Sequence, residues 1–161
     1  MKLTDKYVFF NGGVLSNWYM LKFIVDKIQY NCGEQYMMAQ KAILFGDYLT
    51  LDKIMNSSDP KEIKSFGREI KNYDDNLWSS NRYDIVKPGL YEKFNQNKYL
   101  KDFILVFGKR IFVEASINDN IWGIGMNEND PLIDNPENWK GENLLGKILS
   151  EIRDEIEKNN I

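Results

Sequence analysis

Glu34 and Lys41 stand seven residues apart in the segment NCGEQYMMAQKA, Asn31–Ala42. A carboxylate and an amine make a working pair: the amine can attack an electrophilic carbon while the carboxylate moves protons. On a helix, residues seven apart share nearly one face, with Met38 between them. From spacing alone the commoner reading is a solvated charged face over packed methionines, and one wall of an active site is the alternative.

The chain contains no histidine and one cysteine. Ser-His-Asp and Cys-His machinery is therefore excluded, as are the common zinc sites. Acid–base work falls to Asp, Glu, Lys, Tyr or Cys. No clustered acidic motif calls for Mg²⁺, so no metal and no cofactor is expected. Cys32 has no second thiol to pair with and reads as a bystander.

Other candidates flank loops and aromatic residues. SNWY places Asn17 beside Trp18 and Tyr19, directly after an apolar segment. DNIWGIGM places Asp119 and Trp122 ahead of Gly123 and Gly125. Binding residues concentrate on such loops, although a tryptophan there is often a hydrophobic plug. Arg68 follows Gly67, and Arg82 lies four residues after Trp78 on the same helical face. An arginine near an indole suits a phosphate with a stacked base; a plain Arg–carboxylate pair is the commoner arrangement.

The elements that must position these residues are legible in outline. YVFF and RIFVEAS read as strands, and KFIVDKIQY as a hairpin turning at Asp26-Lys27. EQYMMAQKAILFG reads as a helix stopping at Gly46. Asp59, Pro60 and Glu62 mark a helix start, with Ile63, Phe66 and Ile70 as its stripe and Gly67 allowing a close approach. The helical pattern after Trp78 should kink or break at Pro88-Gly89. A C-terminal amphipathic helix points Leu144, Leu145, Ile148, Leu149, Ile152 and Ile156 inward. Together these predict an α+β fold: a single domain, residues 1–161, with several helices packed on a small mixed β-sheet.

Of the 161 residues, 43% are hydrophobic and 28% charged, with a net charge of −3. That composition suits a globular protein and argues against strong non-specific nucleic-acid binding, though not against a small basic pocket. No apolar run is long enough to span a bilayer and no signal peptide is evident, so a cytoplasmic location and no membrane partner are expected.

The ordered run SNWY, EQYMMAQKA, DPKEIKSFGREI, W…RY.IV, KF.QN..L, EAS..D.IWGIG and NW.G.NLLG.IL.EIR resembles the NADAR, or YbiA-like, family over roughly Tyr7 to Arg153. That resemblance implies an N-glycosidase with an α+β fold and no metal requirement. It implies functional roles for Glu34, Trp78 and Asp119, with Lys41 as the motif lysine. The expected substrate carries ribose C1 on an exocyclic amino nitrogen. ADP-ribosylated guanine in DNA or RNA is the first expectation, with a toxin ADP-ribosyltransferase as associated partner. An early riboflavin-pathway ribosylamine is the second, and a non-catalytic ADP-ribose or nucleotide-binding module the third. In the catalytic readings Glu34, Lys41 and Asp119 do the chemistry. Asn17, Trp18, Tyr19, Arg68, Trp78, Arg82, Trp122 and Gly123 hold the substrate.

Overall fold

The computed structural model describes residues 1–160. Its strands are β1 (Lys2–Leu3), β2 (Tyr7–Phe10), β3 (Phe23–Val25), β4 (Ile28–Tyr30) and β5 (Ile111–Glu114). Its α-helices are α1 (Gly33–Leu44), α2 (Tyr48–Met55), α3 (Pro60–Arg68), α4 (Asp75–Asn95), α5 (Lys98–Leu105) and α6 (Leu144–Asn159). The predicted α+β class is observed. The chain divides into two compact units, one of residues 17–97 and one joining residues 1–16 to the stretch from Lys98 onward.

In the second of these, β1 pairs antiparallel with β2, and β2 pairs parallel with β5, Tyr7 opposite Ile111 and Phe10 opposite Glu114. The apolar runs of β2 and β5 bury Phe9 and Val113 with Ala115, Ile124, Met126 and Ile133. Helix α6 packs on β5 as its periodicity predicts, burying Leu145, Ile148, Leu149, Ile152 and Ile156, with Leu144 half-buried. The approach is close because Gly146 has no side chain: a Cβ there would lie 2.1 Å from the Phe112 carbonyl oxygen. Asn143, in the left-handed region at φ 55°, joins sheet to helix. Its amide donates to the Phe112 carbonyl and its Oδ1 accepts from the Glu114 N–H.

In the unit of residues 17–97, α1 packs against α2, α3 and α4. It is not amphipathic: every residue from Cys32 to Ala39 is buried. The β3–β4 hairpin turns at Asp26 and Lys27, both at positive φ (51° and 69°), the backbone of a two-residue type I′ loop without its usual glycine. The Gln96 side chain ties that hairpin to the end of α4, accepting from the Ile24 N–H at 2.8 Å and donating to its carbonyl at 2.6 Å.

Helix α4 corrects one expectation and extends another. It runs unbroken for 21 residues through Pro88, and it starts at Asp75, capped by Asp74, before Trp78. Pro88 is solvent-exposed, so the carbonyl it leaves without an N–H can be hydrated. The turn is also held from α1. The Tyr36 hydroxyl donates to the Ile85 carbonyl at 3.1 Å, and a Cβ on Gly89 would lie 2.1 Å from the Tyr36 ring. Tertiary packing thus sustains a helix that local propensity would interrupt. The predicted helical stretch beyond Asn95 is a separate helix, α5, and β1 and α2 are elements the sequence did not predict.

Candidate active site

The first turn of α1 is built to bury a carboxylate. Cys32 is its N-cap, with Sγ accepting from the Gln35 N–H at 3.4 Å. The cysteine taken as a bystander thus has a capping role. Burial pushes its thiol pKa up, more than the Gln35 N–H pulls it down. Gly33 follows, and a Cβ there would lie 2.8 Å from Asn17 Oδ1 and 2.9 Å from Leu90 Cδ2. Its absence lets Asn17 close on the helix, where the Asn17 carbonyl accepts from the Glu34 N–H at 2.9 Å. Gln35 donates to the Ile54 and Ser57 carbonyls, both at 3.1 Å, and accepts from the Asn31 N–H at 2.7 Å. Glu34 is only 4% exposed, so it does not lie on a solvated face.

Two turns on, Lys41 reaches toward the end of α3. Its Nζ donates to the Gly67 carbonyl at 3.0 Å. It sits 4.7 Å from the centroid of the Tyr73 ring and 6.0 Å from that of Trp78, both within cation–π range. The close approach of α3 has a simple origin, since a Cβ on Gly67 would overlap Met38 Sδ at 2.0 Å. Met38, the residue between Glu34 and Lys41, is therefore packing. Burial lowers the Lys41 pKa from its ordinary value; the Glu34 charge pushes it back up, Arg68 lowers it further, and Asp75 raises it. An amine with a lowered pKa holds more of its neutral, nucleophilic form near neutrality.

The remaining predicted residues of this unit fall as follows. Trp78 and Arg82 lie on the buried face of α4, at 5% and 8% exposure. Arg68 is exposed at the last turn of α3. Asn17 is buried, Tyr19 half-buried and Trp18 exposed. Lys41 gathers Glu34, Arg68 and Trp78 around it electrostatically or by ring contact.

Asp119, Trp122 and Gly123 belong to the other unit. Asp119 Oδ1 accepts from the N–H groups of Ile121 at 2.9 Å and Trp122 at 2.8 Å, which winds the loop into a tight turn. Gly123 lies against the Asp119 and Glu114 carbonyls, where a Cβ would approach each to 2.9 Å. Trp122 is buried, and its carbonyl accepts from the Leu145 N–H at the start of α6.

Sequence reasoning missed Tyr73 and Asp75. Tyr73 packs edge-on against Phe45 at 5.3 Å, lies under Lys41, and donates from its hydroxyl to Asp75 Oδ1 at 2.8 Å. Burial and this bond hold the phenol pKa above its ordinary value. The available signal was the cap: Asn72 turns the chain at φ 62° and Asp74 starts α4, which confines Tyr73 between them.

An amine of lowered pKa thus lies beside two aromatic rings, Trp78 buried and Tyr73 exposed, within the electrostatic reach of a buried carboxylate. The NADAR domain model matches residues 8–157. The chain belongs to the NADAR family. It is 42% identical to an N-glycosidase of Acanthamoeba polyphaga mimivirus, over 94% of this chain and 97% of that one. It is 28% identical to a riboflavin biosynthesis protein of Vibrio vulnificus, over 92% of this chain and 37% of that longer one. The solved structure of the Escherichia coli protein YbiA is similar across 99% of this chain and 89% of that one, with a TM-score of 0.79 at 26% identity. Like its NADAR relatives named N-glycosidases, the chain is a hydrolase of N-glycosyl bonds. No helix among the described residues is long and apolar enough to cross a membrane.

Proposed function

We propose that this NADAR chain releases ADP-ribose from ADP-ribosylated guanine in nucleic acid, using Lys41 as nucleophile. One observation carries the reading. Lys41 is an amine of lowered pKa held by the Gly67 carbonyl between two aromatic rings, within the electrostatic reach of buried Glu34. That is the environment of an imine-forming lysine.

In the proposed reaction the ribose ring opens, with a proton delivered to O4′ and the C1–N bond becoming an imine. The neutral Lys41 amine adds to C1. The guanine amine then leaves with a proton from Glu34, and the electrons on the lysine nitrogen form a lysine–ribose imine. Water adds to C1 of that imine, the Lys41 amine leaves to give the open-chain aldehyde, and the O4′ hydroxyl closes on C1 to restore the ring with a C1 hydroxyl, so the net change is hydrolysis. Trp78 stacks on the base, with Asn17 and Tyr19 beside it. Arg68 or Arg82 takes a phosphate.

Reduction with borohydride during turnover on an ADP-ribosylated oligonucleotide is expected to leave a sugar adduct on Lys41, read by peptide mass spectrometry. Turnover without an adduct, undiminished in Lys41→Ala, removes the nucleophile. A second substrate reading is favoured by the Vibrio vulnificus relative, whose name places it in riboflavin biosynthesis. A pyrimidine ribosylamine phosphate has the same C1–amine bond. Chromatography of both reactions separates the readings by which base is released.

A further inference from the structure

Helix α3 carries a segregated charge pattern of which the chemistry at Lys41 uses only Arg68. Lys61, Lys64 and Arg68 stand at positions i, i+3 and i+7, within roughly 60° of arc at 100° per residue. Glu62 and Glu69 lie on the opposite flank, with the buried stripe of Ile63, Gly67 and Ile70 between the two flanks. Among the described residues none of the three cations makes a salt bridge, while Glu69 faces Lys53 at 3.9 Å. Lys61 and Arg68 are exposed and Lys64 is half-buried. In a chain of 24 acidic and 21 basic residues, such a one-sided stripe is a local exception.

Two further observations give the stripe a direction. Arg68 ends it one residue after Gly67, whose carbonyl holds Lys41, so the stripe leads to the amine. At its flank stands Trp18, 42% exposed, with Lys64 Nζ 5.9 Å from its ring. Cations that track a backbone, with an exposed aromatic ring beside them, are the parts of a surface for single-stranded nucleic acid: the cations neutralise phosphates and the indole stacks a base. A free ribosylamine phosphate has one phosphate and would need no second or third cation 10 Å along a helix.

We infer that the Lys61–Lys64–Arg68 flank of α3, with Trp18 at its edge, is the surface that seats the single strand next to the modified base. The inference rests on the nucleic-acid reading of the function, and its test separates the two. A fluorescent, unmodified single-stranded oligonucleotide is titrated by anisotropy over a series of salt concentrations, which needs no catalysis. The wild type is compared with Lys61→Glu/Lys64→Glu, with Lys61→Ala/Lys64→Ala, and with Lys98→Glu/Lys147→Glu, which changes net charge equally but lies in the other unit. Thermal melting confirms that each is folded.

The α3 charge reversal is expected to weaken binding at least tenfold, and the alanine pair to do so less. Loss of two phosphate contacts should flatten the log–log salt slope by about 1.4. The Lys98/Lys147 pair should bind within about twofold of wild type. Equal weakening by both charge reversals, no weakening by the α3 pair, or no binding by the wild type overturns the surface. Hydrolysis supplies the second arm. The α3 pair should keep kcat/KM on an ADP-ribosylated guanosine nucleotide and lose it on the same base within an oligonucleotide. If the wild type cleaves neither, the functional reading falls, while the titration still decides the surface.

Discussion

Helices α1 and α4 each carry a lysine whose pKa burial lowers, and the two differ in exposure. Lys41 is half-buried and meets a carbonyl, two aromatic rings, an arginine and two carboxylates. Lys93 is 1% exposed, sits 5.7 Å from the Phe94 ring, and is pushed down to about 8 by burial, with Cys32 pushing back. By pKa alone Lys93 would be at least as good a nucleophile. It lacks the exposure that a substrate carbon needs. A lowered amine pKa therefore marks burial first, and chemistry only where the amine is also reachable and has a proton carrier nearby.

The sharpest way to break this contrast is to remove each amine in turn. Lys41→Ala should lose turnover by three orders of magnitude or more and give no borohydride adduct. Lys93→Met should keep the adduct on Lys41, as peptide mapping would show. An adduct on Lys93 instead would invert the comparison.

Glu34→Gln should cost about 10²–10⁴ in kcat, the usual worth of general acid–base catalysis. It should also move Lys41 the other way. The Glu34 charge raises the amine's pKa, so removing it lowers that pKa further. Modification of Lys41 by a small aldehyde with borohydride should then reach half its maximum at a lower pH, even as turnover collapses. A profile displaced to higher pH would mean that Glu34 does not face the amine.

Lys93 tests the other side through stability. Its folded pKa lies below its unfolded value of about 10.4, so the unfolded state binds more protons between those two values. The cost to folding is complete below about pH 8 and fades as pH rises through that window. Lys93→Met should therefore be the more stable protein at pH 7, by on the order of 3 kcal/mol, with the gap closing by about pH 10.5. Urea unfolding at several pH values reads this, and a gap independent of pH would show that packing alone is responsible.

Tyr73 should give the smallest effect. Tyr73→Phe keeps the ring under Lys41 and should stay within a few-fold of wild type. Tyr73→Leu loses a cation–π contact that favours the protonated amine, worth about 0.5–2 kcal/mol, so the neutral fraction of Lys41 near neutrality should rise by roughly 2–30-fold, read as the pH dependence of its modification. Equal shifts in the two variants would transfer the role from the ring to the hydroxyl and Asp75.

The sequence made β2 and β5, the hairpin, the Asp59-Pro60 helix start and the C-terminal helix legible, because each rests on local signals. Apolar runs, caps and periodicity act over a few residues. Pro88 misled the reading for the same reason: its local cost is real, and it is offset by Tyr36, distant in sequence. From spacing, Glu34 and Lys41 were legible as a pair but not as a site, which only the family resemblance implied. Their spacing fits a solvated face equally well, and only packing shows that Glu34 is buried.

Residue types alone determined what chemistry was open to this protein. Without histidine, acid–base work was left to carboxylates, lysines, tyrosines and the one cysteine. The tertiary structure decided which of them meet. Gly67 lets α3 bring a carbonyl to Lys41, Gly33 lets Asn17 close on Glu34, and the Asn72 turn swings Tyr73 under the amine. Each depends on the distance between segments far apart in the chain, which no local pattern of side chains can encode.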